Sequence, residues 1–477
     1  MNVSADGRAV AVPAQAPAGA EPTAQAAPGG WRARLDRLDR ALFPAAAPPV
    51  SRRSALLTAL ATLAAVPLSL VRTGGHGPFD SLWAEDGSGF VHDSLNLGTF
   101  DALKKGLNGY FVLLPRLIAE PVALVPVQRA PVVISLGAAA CTALFALTAY
   151  LASAAYLRSV PARLLVSLPV VATPVAGAVV ANNVATLQFA ALYAAFWALM
   201  WMPRGWAARA LALAVVVLTG LSTILIVALV PVAVVRAVVR RDRWSYAISG
   251  AVCLTVAVQA LALATGATSR EGLSAPRLDP LWALLEWVLW AMPYSVFGTT
   301  VLGSRSAPLR LVLGLLAYAV LAAVVVLALR RGSTGPAWGL AALAAASSAA
   351  ILAAEVMGMG YPGTEESYLT PEKALMSTER YLLAPVLLLI AAVVALLRPA
   401  PSRPSRPSWP LIGYGLLVVV VCATQLRPDA PRNHTLSWSA VVADAKARCT
   451  ATGAASVEVP FGGPVWYPRP LVPCRKL

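Results

Sequence analysis

A chain of 477 residues that is 58% hydrophobic and only 13% charged, with a mean hydropathy of +0.69, is not an ordinary soluble protein, in which about a quarter of residues carry charge. Its net charge of +16 does not mark a nucleic-acid binder, because the arginines stand in small groups at the ends of apolar runs, as at Arg52-Arg53, Arg158 with Arg163, and Arg236 to Arg243. Such groups hold loops on the cytoplasmic side and meet anionic lipid headgroups, and three histidines without CxxC or HExxH spacing argue against a His/Cys metal centre.

Residues 1–54 are expected to be cytoplasmic. Their first part is rich in Ala, Pro and Gly and reads as disordered; Trp31 to Arg40 reads as a short amphipathic helix on the inner membrane surface. The first apolar run begins near Ala55, too late for a cleaved signal peptide, so it reads as an uncleaved anchor. Residues 55–426 then form an all-α, polytopic transmembrane domain of about eleven passes. Runs near 55–71, 131–157, 163–181, 184–202, 245–264, 309–329, 336–355, 380–397 and 409–425 each read as one pass.

The run 210–235 has basic groups at both ends, and one helix through it would be about 39 Å long and put a basic group on the wrong side. A turn at Thr219 to Ser222 instead predicts two short helices meeting within the membrane, under a cover of protein or a water-filled cavity. Leu281 to Phe297, rich in Trp and with Glu286 midway, is expected to lie in the outer interface rather than span. The tail, 427–477, is expected to end outside as a small cap, where Cys449 and Cys474 are candidates for a disulfide in an oxidising compartment. Cys141, Cys253 and Cys422 lie within apolar runs and read as small buried hydrophobes.

The chemistry is concentrated in the first outer loop, residues 72–130. Trp83-Ala84-Glu85-Asp86-Gly87 places two adjacent carboxylates between an aromatic anchor and a pair of glycines, Gly87 and Gly89, that let the backbone turn. Adjacent acids repel, so one should titrate above the ordinary range, as suits a general base. Neighbours in sequence do not flank a glycosidic bond from opposite sides, as a hydrolase pair must. One base, with a supporting or metal-binding acid beside it, fits better; a solvated acidic turn is the plainer alternative. The loop continues through His92, Lys104-Lys105, Asn108-Gly109-Tyr110 and Leu114-Pro115-Arg116.

The pattern W-x-E-D-G-x-x-F after the first span, followed by G-Y-x-x-x-L-P-R, resembles the membrane glycosyltransferases of the GT-C superfamily. The motif covers residues 83–117, and the layout of passes, interfacial helices and tail extends the likeness along the chain. The resemblance implies a GT-C-like fold in the plasma membrane, with a cytoplasmic N-terminus and an extracytoplasmic C-terminus. It implies inverting transfer of a sugar from a polyprenyl-phosphate donor to a hydroxyl on a glycan, lipid or protein acceptor. Glu85 or Asp86 would be the base, and a divalent cation (Mg2+ or Mn2+) on those acids stays open. Arg380, opening a helix beside Tyr381, and Arg116 are candidates for the donor phosphate, with a neighbouring glutamate or lipid headgroups as their alternative partners. Tyr110 and Trp83 are candidates to stack on a sugar, His92 to assist proton transfer, and Asn182-Asn183 to line the site. Membrane lipids are the remaining partner, and nucleic acid is not one.

Two rivals share the many passes: a transporter or flippase of a lipid-linked sugar, and a noncatalytic cell-envelope assembly protein. Transporters keep coupling charges near mid-membrane and often carry paired repeats; here no repeat is evident and the acids sit in a loop. A scaffold gives no reason for the Glu85-Asp86 turn.

Overall fold

The computed structural model describes residues 30–45, 51–175, 180–268, 278–303, 306–358, 379–398, 408–427, 431–462 and 469–477. The expectation of disorder over the N-terminal Ala/Pro/Gly stretch falls mainly on residues 1–29 and 46–50, outside these.

The apolar runs fold as helices, which satisfy their backbone groups within the segment, as hydrocarbon requires. In chain order they are α1 (Trp31–Leu42), α2 (Arg52–Leu70), three short helices of the first loop, α3 (His92–Asn96), α4 (Thr99–Lys104) and α5 (Leu113–Ala119), and then α6 (Ala130–Ala152). There follow α7 (Val160–Val171), α8 (Leu187–Met200), α9 (Trp206–Gly220), α10 (Val230–Arg240) and α11 (Arg243–Ala264). The last third holds α12 (Pro280–Thr299), α13 (Ala307–Arg330), α14 (Gly335–Gly358), α15 (Leu383–Leu397) and α16 (Trp409–Thr424). A tail helix, α17 (Trp438–Thr452), precedes two short strands, β1 (Ser456–Glu458) and β2 (Leu471–Pro473). Among the described residues, seven helices are long and apolar enough to cross a membrane, those containing α2, α6, α11, α12, α13, α14 and α15.

The helices run back and forth between two ends. One, the basic end, collects Arg52, Arg163, Arg240, Arg331 and Arg398. The other, the site end, collects the first loop, the turn at Asn182 and the tail. Helices α7 and α8 are shorter than the passes expected over 163–181 and 184–202: about 18 and 21 Å against a hydrocarbon core of about 30 Å. Their carbonyl ends would be stranded within the bundle, and a buried arginine meets each. Arg72 donates to Val171 O at 2.7 Å and Thr173 Oγ1 at 2.8 Å; Arg236 donates to the carbonyl oxygens of Leu199 and Trp201.

The interrupted run near 210–235 breaks where expected, between Gly220 and Thr223, before a 3-10 turn over Ile224–Leu229. The loop and α11 cover the break: Gln259 Nε2 donates to Gly220 O at 2.9 Å, and Leu114 N donates to Ser222 Oγ at 2.8 Å. Gly220 is fixed by close approach, since a Cβ there would lie 2.1 Å from Thr255 Oγ1.

Helix α12 has the length and composition of a span, yet the path of the chain returns it to the end it came from. Before it, Thr268 at the site end donates to Gly109 O at 2.9 Å; at its close, Gln425 Nε2, also at the site end, donates to Thr299 Oγ1 at 2.8 Å. Between those points it dips into the bundle, where Trp287 Nε1 donates to Ser348 Oγ at 2.8 Å. Its length and hydropathy would also allow a crossing, where its Trp content implied an interfacial helix. A kink at Gly298 (φ 65°), pressed against Pro174 O and Val421, turns it back.

Helix α1 docks on the protein rather than only on a membrane surface: Asp39 pairs with Arg240 at 3.2 Å and Asp36 with Arg241 at 3.0 Å, while Leu35 is buried. At the site end, Cys449 and Cys474 are disulfide-bonded, tying α17 to the residue that follows β2. The tail is sewn to the first loop by Ser437 Oγ on Asp80 Oδ2 (2.6 Å), Trp438 Nε1 on Val127 O (2.9 Å) and Lys476 Nζ on Ala123 O (2.8 Å). Of the free cysteines only Cys422 is buried; Cys253 is exposed on the side of α11, where an apolar surface can face lipid.

Candidate active site

The acidic pair divides. Ala84 adopts a left-handed backbone (φ 50°), a conformation costing roughly 1–2 kcal/mol for a residue with a Cβ, and Ala84 N is held by Gly462 O of the tail at 2.8 Å. After this turn the chain enters one π-helical segment, Asp86–Val91. The unusual dihedral was expected at the glycines and falls on Ala84 instead. Gly87 serves a different need, because a Cβ there would lie 2.7 Å from the ring of Phe461.

Glu85 then points into a cavity of about 350 Å³, the size of a small-molecule pocket. Asp86 points away from it. Fully buried, Asp86 accepts hydrogen bonds from Val184 N (3.1 Å) and Ala185 N (3.3 Å), the residues that lead into α8. Burial pushes its carboxyl up to about 7; Glu85 adds to the rise, while Arg432 and the two amides pull the other way. The expectation that one acid titrates high therefore applies to Asp86, and desolvation outweighs repulsion as its cause.

Across the cavity Arg380, from the 3-10 turn Glu379–Leu382 that opens α15, brings Nη1 to 3.9 Å from Glu85 Oε1. Its guanidinium lies over the Tyr381 ring and donates to the Tyr381 hydroxyl at 3.2 Å, and Tyr381 packs edge-on against Phe189. Glu85 Oε2 is buried with no hydrogen-bond partner among the described residues. The loop supplies a further wall through Asn108 and Gly109, both at positive φ (53° and 87°), which make the tight turn that Asn-Gly favours. That turn delivers Tyr110, whose hydroxyl meets Gln188 Oε1 at 3.3 Å and whose phenol burial holds up at about 12. Much of the remaining lining is apolar: Ile224, Leu225 and Val227 of the broken hairpin, and Ala354 and Met357 of α14.

Glu85, Arg380, Tyr381 and Tyr110 are thus brought together, and the other sequence candidates are not. Arg116 is buried in an ion pair with Asp93 (2.9 Å), donates to Lys105 O (2.6 Å) and lies over Phe90, so it braces the loop instead of facing the cavity. Lys105 joins the same pair at 2.7 Å rather than reaching lipid. His92 Nδ1 accepts from Leu471 N at 3.1 Å, a joint between loop and tail, and burial lowers the basicity of its ring. Trp83 pairs by its backbone with Gly462. Asn182 (φ 51°) binds the end of α2, donating to Ser69 O and Thr73 Oγ1 at 2.8 Å each, and Asn183 Oδ1 accepts from Thr186 N at 3.1 Å; both are structural pins.

Sequence reasoning missed Gln188, a polar residue in an otherwise apolar helix one turn past the Asn pair. It also missed Arg432, which donates to Ala181 O at 2.6 Å and lies in the field of Asp86. Only the first carried a readable signal. As for a divalent cation, among the described residues no three His, Cys, Asp or Glu side chains converge, and the oxygens of Asp86 are engaged by backbone amides. The acidic pair does not fit a metal site, because its two carboxylates diverge.

Comparison of the chain with protein-family models, curated proteins and solved structures finds no match.

Proposed function

We propose that this protein is a membrane glycosyltransferase with a GT-C-like layout, transferring a sugar from a polyprenyl-phosphate donor to an acceptor hydroxyl. The observation that carries this reading is the Glu85–Arg380 pair in a cavity otherwise lined largely by apolar side chains. A lipid-linked donor needs that combination: cation and base for the reacting head, hydrocarbon for the tail.

In this scheme Glu85 Oε2 takes the proton of the acceptor hydroxyl. The acceptor oxygen attacks the anomeric carbon, the bond from that carbon to the phosphate oxygen breaks, and configuration inverts. The leaving polyprenyl phosphate gathers negative charge, which Arg380 meets. Tyr110, Gln188 and Asn108 orient the sugar, and Tyr381 holds the guanidinium over the phosphate. Asp86 is a positioning residue, fixing the amides of Val184 and Ala185 and so the wall that carries Gln188.

In this reading the chain makes eleven passes, with the two arms of the broken hairpin counted separately and α12 taken as re-entrant. The positive-inside rule puts the basic end in the cytoplasm and the site outside. The test is transfer of label from a radiolabelled polyprenyl-phosphate sugar to cell-envelope acceptors by purified protein, with Glu85→Gln alongside. Label transferred by the wild type and lost in the variant supports the reading; equal transfer by both refutes it.

One observation favours a transporter. Glu355, in α14, is buried with both carboxylate oxygens lacking a hydrogen-bond partner among the described residues, and a carboxyl group within a span often marks an ion path. Movement of donor across vesicles without bond formation would establish that alternative.

A further inference from the structure

Away from the site, a groove of about 450 Å³ runs between α2, α6 and α7. On α2 it extends from Ser54 to Leu68, about 21 Å along the helix. Its walls are mainly apolar, and three of the hydroxyls along it turn back on their own helices: Thr58 Oγ1 on Ser54 O, Thr62 Oγ1 on Thr58 O, and Ser167 Oγ on Leu164 O.

The mouth at the basic end is different. Arg163 is stacked 3.8 Å over the ring of Tyr150, a groove residue, and its Nε is fixed on Tyr150 O at 3.1 Å. Its two terminal amino groups carry no protein hydrogen bond among the described residues, so a guanidinium fork is held in place with its donors open. Arg52, Arg53 and Arg158 stand exposed at the same end, and none of the four has a carboxylate partner among the described residues.

We propose that this groove is a binding site for one diacyl lipid with an anionic phosphate headgroup, its chain along α2 and its phosphate on Arg163. A planar fork with open donors matches phosphate oxygens, and exposed arginines around it favour net negative charge. The site is separate from the transfer cavity and does not depend on the reaction assigned there.

Native mass spectrometry of the full chain in detergent, with added phosphatidylglycerol, phosphatidylcholine or diacylglycerol, tests this. The wild type should keep one phosphatidylglycerol and hold it at least tenfold more tightly than either other lipid. Arg163→Gln should abolish that preference. Ala61→Trp, which fills the groove from an exposed position on α2, should remove the bound lipid while leaving the arginines in place. Equal retention of all three lipids by the wild type overturns the proposal, as does unchanged phosphatidylglycerol binding in both variants. Ala61→Trp keeps the test decisive if Arg163→Gln misfolds.

Discussion

Arg380 Nη1 stands 3.9 Å from Glu85 Oε1, although 295 positions separate the two in sequence, while Asp86, bonded directly to Glu85, faces the opposite way into the protein. The two acids of the loop therefore have different consequences when neutralised. Glu85→Gln should lower kcat for sugar transfer by about 10²–10⁴-fold, the range a general base contributes, without loss of folded protein. Arg380→Gln should weaken donor binding and slow the chemical step together. Steady-state kinetics with the labelled donor, alongside size-exclusion profiles, checks both.

Asp86 governs stability against pH. Its carboxyl is raised from the ordinary 3.8 to about 7, so the folded loop binds a proton that the unfolded chain releases. The stabilisation is complete below about pH 4 and is lost as pH rises through 7; the shift is worth on the order of 4 kcal/mol. Hydrogen exchange of the loop amides across pH 5 to 8 should show protection falling with pH. Asp86→Asn should flatten that dependence and change transfer far less than Glu85→Gln does. A slope unchanged in the variant would contradict this assignment.

Breaking the tail's cross-link should loosen the cover of the site. Cys474→Ser opens a loop whose ends are 25 residues apart, for which about 2–4 kcal/mol is typical. The tail amides should lose protection first, and thermal unfolding should become two transitions where the wild type shows one. Identical melting with and without the disulfide would show that the loop contacts alone hold the tail.

Two glycines test the backbone. Gly220→Val places side-chain atoms against Thr255, and Gly298→Ala puts a Cβ at positive φ, 2.3 Å from Val421 Cγ1 and 2.5 Å from Pro174 O. Each should cost about 1–3 kcal/mol or more, seen as a lower melting temperature in detergent. Gly314, with open space around it, should accept Ala with little change.

Hydropathy and length were enough to find the helices, because both are properties of the local chain. The break after Gly220 was legible for the same reason: a run with arginines at both ends has to turn. The shortness of α7 and α8 was not legible, because it depends on Arg72 and Arg236 arriving from elsewhere to meet their carbonyls. The site followed the same division. Glu85, Tyr110, Arg380 and Tyr381 announced themselves by sequence context at loop turns and a helix start. The roles of Arg116, His92 and Asn182 could not be read, since each is decided by a distant partner: Asp93, Leu471 and Ser69 respectively.

The hydrogen bond from Ser437 to Asp80 spans 357 residues, and with its companions it brings the tail onto the first loop. A nascent chain halted anywhere before residue 431 carries the loop acids but not the surface that holds Ala84 in its turn. The contact that holds this turn therefore forms only after Gly462 has been synthesised, later than every helix between the two segments.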